Sequence, residues 1–229
     1  MDKLIVYHGS SEIIKAPIYG KGKTYNDYGQ GFYCTKNLEL AKEWACIESR
    51  DGFANKYELD MNNLSLLDLS NKNYNILNWL AILLDNRIFR LSTPIEKRAK
   101  DYLLEHFLPE YKRFDVIKGY RADDSYFAYA RLFIGNSISL QQLSFAMHLG
   151  KLGEQIVLKS KKSFDSIKFI DYIEADNSIY YSRRKARDEK ARESFYKELE
   201  KEDISGIFIK NILDERIESN DSRLQWNVS

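Results

Sequence analysis

Short strand-like runs at both ends of this chain frame a helical middle, and that order leaves few architectures open. Residues 4–7 (LIVY) read as a short buried strand that ends at His8-Gly9-Ser10, and residues 31–35 (GFYCT) read as a second. Asn37 is a good N-cap for a helix over 38–49, with Leu40, Ala41, Trp44 and Ala45 at helical spacing. Residues 56–60 and 64–69 alternate or run apolar like strands, with a turn at Asn62-Asn63. Beyond residue 75 the pattern turns helical. Ile76, Leu77, Leu80, Ile82, Leu83 and Leu84 predict a well-buried helix, and Ser92-Thr93-Pro94 starts another that ends near Pro109. Strand pattern returns at 114–120, helices at 125–132 and 138–149, and strands at 154–159 (EQIVLK) and 166–170. A charged helix of mixed sign over 182–201 and an amphipathic piece over 204–217 precede a loose tail at 220–229. The expected fold is α+β: one domain over 1–219, with 75–112 as a helical insertion within it.

Composition narrows the function classes. Hydrophobic residues make up 44% and charged residues 30%, which suits a packed globular chain rather than a disordered or membrane-embedded one. A net charge of +1 demands no nucleic-acid or anionic-membrane partner. The apolar run at 4–7 is too short for a signal-peptide core, and no stretch approaches the length of a membrane span. Cys34 and Cys46 form no Cys-x-x-Cys pair, so a reducing cytoplasm is the expected location. There is no metal-ligand spacing and no Gly-x-x-x-x-Gly-Lys phosphate loop, so no metal is expected.

Three short pieces carry candidate chemistry: Tyr7-His8-Gly9-Ser10, Gly29-Gln30-Gly31-Phe32-Tyr33 with Trp44 after it, and Gly153-Glu154-Gln155. A histidine at a strand end, followed by glycine, puts an imidazole beside backbone that a flat polar ligand can approach. Gly31 allows the same just before Tyr33. If Phe32 faces the core, Tyr33 points to the other face, and Trp44 on the next helix can turn back toward it. Two such rings would hold a heteroaromatic ring, and a cationic one gains about 0.5–2 kcal/mol per face. Glu154 opens a strand after a glycine, where a carboxylate can project into a cleft. Each piece alone has a bland reading: a packed ring, a solvated Glu, a strand-end His.

Together and in this order they resemble the ADP-ribosyltransferase superfamily in its His-Tyr-Glu class. YHGS and GFYCTKNLELAKEW resemble segments of the diphtheria-toxin catalytic domain, and GEQIV resembles the glutamate strand of the poly-ADP-ribose polymerases. Features such as GYRADDSYF and LGEQIVLKS are similar to an uncharacterised bacterial family of the same superfamily. The resemblance implies two small, mostly antiparallel sheets around an NAD cleft, with helices outside. It implies that His8 bonds the adenosine ribose, that Gly9 holds the nicotinamide carboxamide through its backbone with Ser10 in support, and that Tyr33 and Trp44 flank the nicotinamide ring. Glu154 would be the catalytic carboxylate, stabilising the oxocarbenium-like state formed as nicotinamide leaves. Trp44 stands where the family more often has a tyrosine.

Leu152 stands where the arginine-modifying class has a Glu or Gln, which argues against arginine as the acceptor. Arg121, Asp123 and Asp124 either border the acceptor side of the site or form a loop held by its own ion pairs. The charged helix over 182–201 reads as a solvated face. The RNA 2-phosphate transferases also use NAD on this fold but rely on arginines, which the motif positions here do not supply. The implied activity is transfer of ADP-ribose from NAD to a protein or nucleic acid. Its competitors are NAD hydrolysis and a non-catalytic binding module. By resemblance, such a chain is a bacterial toxin paired with a small antitoxin protein.

Overall fold

In a computed structural model, residues 3–122, 124–148, 153–201 and 203–224 are described. Two small sheets form the framework. The first has the order β1 (Lys3–Ser10), β3 (Gly52–Asp60), β7 (Ile167–Ala175) and is antiparallel throughout. The second has the order β2 (Phe32–Cys34), β6 (Glu154–Leu158), β5 (Val116–Tyr120), β4 (Leu66–Asp68); only β4 and β5 run parallel. A bridge joins the sheets at Tyr7 and Thr35, whose backbones exchange hydrogen bonds of 2.8 and 2.9 Å. The fold is therefore mixed α+β.

Strand alternation decides what each face of the second sheet meets. Phe32, Cys34, Val116, Ile156 and Leu158 turn toward the first sheet and pack with Val6, Tyr57 and Leu59. Ile117 and Val157 turn the other way, into a larger helical core. At the centre of that core is α2 (Ile76–Asn86), with Leu77, Trp79, Leu80, Ala81, Ile82, Leu83 and Leu84 all buried. A helix apolar on every side has to be covered on every side. It is flanked by α3 (Pro94–His106), α4 (Asp124–Ile134), α5 (Leu140–His148) and α8 (Ile209–Glu215). Asn75 and Thr93 start α2 and α3 with capping boxes.

Some boundaries move from expectation. The helix α1 (Leu38–Ala45), capped by Asn37, stops four residues before 49. Cys46 is extended, and Ile47–Arg50 forms a tight turn with Ser49 at φ 60°. Gly52 then passes so close to the Ala45 carbonyl that a side chain there would meet it at 2.4 Å. Strand β7 runs to Ala175, five residues past the expected 170, because β3 offers partners along its whole length. The amphipathic piece at 204–217 is helical only over α8, which ends at Arg216 in the left-handed region. A short α6 (Lys161–Asp165) follows β6, and α7 (Asn177–Leu199) is the long charged helix. No helix among the described residues is long and apolar enough to cross a membrane.

Candidate functional site

The end of β1, the 14–31 loop, β2, α1 and α7 enclose a cleft of about 1070 Å³. That lies at the upper end of small-molecule sites, large enough for a dinucleotide. His8, Gly9, Ser10, Gly31, Tyr33, Trp44 and Arg121 all line it. Asp123 lies outside the described residues, as does Leu152, and the same holds for the side chain of Asp124.

His8 is held from two sides. Its ring stacks on Phe32 at 4.3 Å, and its Nδ1–H donates to the Tyr33 carbonyl at 2.7 Å. A carbonyl only accepts, so the proton sits on Nδ1 and Nε2 keeps a lone pair. Burial holds the imidazole below its ordinary pKa, against the opposing pull of that hydrogen bond. Tyr33 shares its sheet face with Val157, while its neighbours Phe32 and Cys34 face the inter-sheet core. Its hydroxyl donates to the Gly29 carbonyl at 2.6 Å and accepts the Tyr28 N–H at 3.1 Å, which clamps the preceding loop. Lys159 secures the same loop by donating to the carbonyls of Tyr28 and Gln30.

Two site expectations need correction, and the glycines gain a second explanation. Trp44 and Tyr33 do not form an open ring pair: the Arg121 guanidinium lies over the Trp44 ring, 4.3 Å from its centroid. Arg121 thus borders the cleft stacked on the Trp44 indole. The glycines have packing reasons of their own. A Cβ on Gly9 would meet the Ala41 carbonyl at 2.1 Å, and one on Gly31 would meet the Leu158 carbonyl at 2.7 Å. Glu154 does not reach the cleft. It shares the face of Ile156 and Leu158, opposite Tyr33, and its carboxylate pairs with Lys118 at 3.1 Å. Lys118 also pairs with Asp68 at 3.3 Å, so the β4–β5–β6 ladder supplies Glu154 with a local partner.

The polar groups that do reach the cleft at this level are Asp27, Gln155, Arg87 and Arg121. Asp27 Oδ2 accepts the Ala122 N–H at 2.9 Å, and Arg87, the C-cap of α2, stands 3.5 Å from Oδ1. Gln155 is 5% exposed, and among the described residues its Oε1 has no hydrogen-bond partner; neither has the buried Trp44 Nε1. A buried acceptor and a buried donor left without partners are where a polar ligand gains most.

The charged helix is also more than a solvated face. Arg184, Arg187 and Arg192 of α7 line the cleft, with Arg187 paired to the buried Glu43 of α1. These arginines reach the cleft from a helix beyond the motif positions. A signal was present: Ala191 and Phe195 are the buried positions of α7, and stepping back by three or four residues gives Arg187 and Arg184. Among the described residues, no cluster of three His, Cys, Asp or Glu side chains is placed to hold a metal.

A family profile described as a protein of unknown function (DUF3990) matches residues 4–169, from β1 into β7 and across every motif position. The chain belongs to the DUF3990 family. No curated protein and no solved structure matches it. In this DUF3990 chain the cleft lies mostly inside the matched span, and α7 adds its arginine wall from beyond it.

Proposed function

We propose that this DUF3990 chain binds NAD in the cleft, breaks the bond between nicotinamide and ribose, and passes ADP-ribose to a macromolecular acceptor. The observation that carries this reading is the convergence of His8, Tyr33 and Trp44, from three separate segments, on one dinucleotide-sized cleft. The arginine wall supports it, because guanidinium groups bind phosphate oxygens well. In the reaction the electron pair of the glycosidic bond leaves with neutral nicotinamide. The acceptor's nucleophilic atom bonds to the ribose C1, and its proton goes to solvent.

Incubation of the full chain with NAD labelled in its adenine half tests the reading. Nicotinamide release with label on protein or nucleic acid is expected. Release with free ADP-ribose alone would make the chain an NAD glycohydrolase. The position of Glu154, paired to Lys118 outside the cleft, favours a second reading as a non-catalytic NAD-binding module. That reading requires NAD to bind with no nicotinamide formed. We propose further that the activity serves a toxin held in check by a small antitoxin protein. Growth arrest on expression of the wild-type chain, relieved by a cleft variant, is the expected result.

A further inference from the structure

We infer that Gln155, held in orientation by Asp27, is the β6 side chain that meets the substrate in this cleft, and that Glu154 is not. The inference rests on the NAD reading above. Register supplies the first argument. Tyr33 pairs with Val157 across β2 and β6, so the β6 positions on Tyr33's face are 157 and 155. Glu154 falls on the opposite face, where Lys118 neutralises it.

Chemistry supplies the second. Gln155 Nε2–H donates to Asp27 Oδ2 at 3.3 Å, and its Oε1 is buried without a partner among the described residues. The Asp27 carboxylate takes the Ala122 N–H, the Gln155 amide and the charge of Arg87, all of them donors. With the Arg87 guanidinium beside it the Asp27 carboxylate acts as an acceptor, and Gln155 presents its NH₂ to it. The carbonyl oxygen is then turned away, fixed as an acceptor. Burial holds the Asp27 carboxyl above its ordinary pKa, against the opposing pull of the Ala122 N–H, the charges of Arg87 and Arg121, and the Gln155 bond.

An acceptor at this place fits a hydroxyl of the ribose that carries nicotinamide. As the bond to nicotinamide breaks, positive charge builds on C1 and the ring oxygen. A hydrogen bond from the ribose hydroxyl to Gln155 Oε1, backed by the Asp27 carboxylate, stabilises that charge. Gln155 is the contacting group. Asp27 is a positioning residue that acts through it.

The test is nicotinamide release by the full chain, with a melting temperature for each variant. Gln155→Met keeps the volume and removes the acceptor; kcat is expected to fall about 100-fold. Glu154→Gln is expected to keep the wild-type rate. Should Gln155→Met fold poorly, Gln155→Glu decides. It keeps an acceptor but sets a second carboxylate beside Asp27, so its rate should gain an acid limb absent from wild type. Asp27→Asn should lower kcat while leaving KM little changed, and its loss should not add to that of Gln155→Met, since the two act as a unit. Loss of release in Glu154→Gln with full activity in Gln155→Met overturns the proposal. A wild-type chain that neither binds NAD nor releases nicotinamide overturns the NAD reading and the proposal with it.

Discussion

Gly9→Ala separates two explanations of the glycine after His8. If Gly9 exists to let a ligand approach its backbone, adding a methyl group costs binding and little else. The packing of α1 on β1 says otherwise. The new Cβ would stand 2.1 Å from the Ala41 carbonyl oxygen, 2.8 Å from the Ala45 nitrogen and 2.9 Å from the Trp44 Cβ. Ordinary contact begins at 3.4 Å, so α1 would have to retreat by about 1.3 Å at Ala41. Two of the three obstacles are backbone atoms, which cannot rotate away. Overpacking costs about 1–3 kcal/mol, and a backbone clash belongs at the top of that range. For a chain of this size about 3 kcal/mol corresponds to a fall of roughly 6–12 °C in melting temperature. Thermal unfolding followed by circular dichroism reads this directly. Because α1 carries Trp44, the same variant should bind NAD more weakly. An unchanged melting temperature combined with lost binding would refute the packing argument and restore the ligand-approach role.

Acid should destabilise the fold through His8. Its folded pKa is lowered by burial, so below about 6.5 the unfolded chain takes up protons that the folded chain resists. The stability contribution is therefore present above that pH and lost as pH falls toward the lower folded value. Urea midpoints at pH 7.5 and 5.5 should differ less in His8→Gln than in wild type, and an equal difference would sink the assignment. Tyr33→Phe strands the Tyr28 N–H and the Gly29 carbonyl, at a cost of about 1–3 kcal/mol, measurable as a lowered urea midpoint. Both cysteines are fully buried with thiol pKa values pushed up by that burial, so a thiol reagent should modify neither until the chain is unfolded, when both should react. Rapid labelling of Cys34 in the native chain would show that it is not part of the inter-sheet core.

Much of the framework was legible because its signals are local. Asn37, Asn75 and Thr93 announce helix starts by side-chain chemistry that acts within three residues. The strands at 31–35, 114–120 and 154–159 announce themselves by apolar runs and match β2, β5 and β6 closely, while the run at 4–7 marks only the centre of β1, which extends to Ser10. What failed was decided by distant partners. Helix α1 ends early because Gly52, seven residues beyond Ala45, crosses its last turn. Helix α7 looked solvated because its mixed charges satisfy one another locally, yet Arg187 reaches Glu43, 144 positions away in sequence.

The site shows the same division at finer scale. That His8, Tyr33 and Trp44 line one cleft could be guessed from their order; which of two adjacent β6 residues joins them could not. Adjacent residues on a strand face opposite sides, so a shift of one position in register exchanges Glu154 for Gln155. A carboxylate next to a carboxamide draws attention for its charge, but charge alone does not select a face. The selection here comes from Ile156 and Leu158, which must complete the core between the sheets beside Phe32 and Cys34. Once they are buried there, Glu154 follows them to that side, where it is partly exposed and pairs with Lys118. Gln155, left on the other face and uncharged, can enter the buried end of the cleft without a counter-charge, needing only hydrogen bonds. Asp27 answers one of these, and the Oε1 left over is the point at which the fold's packing requirement becomes a requirement on the ligand.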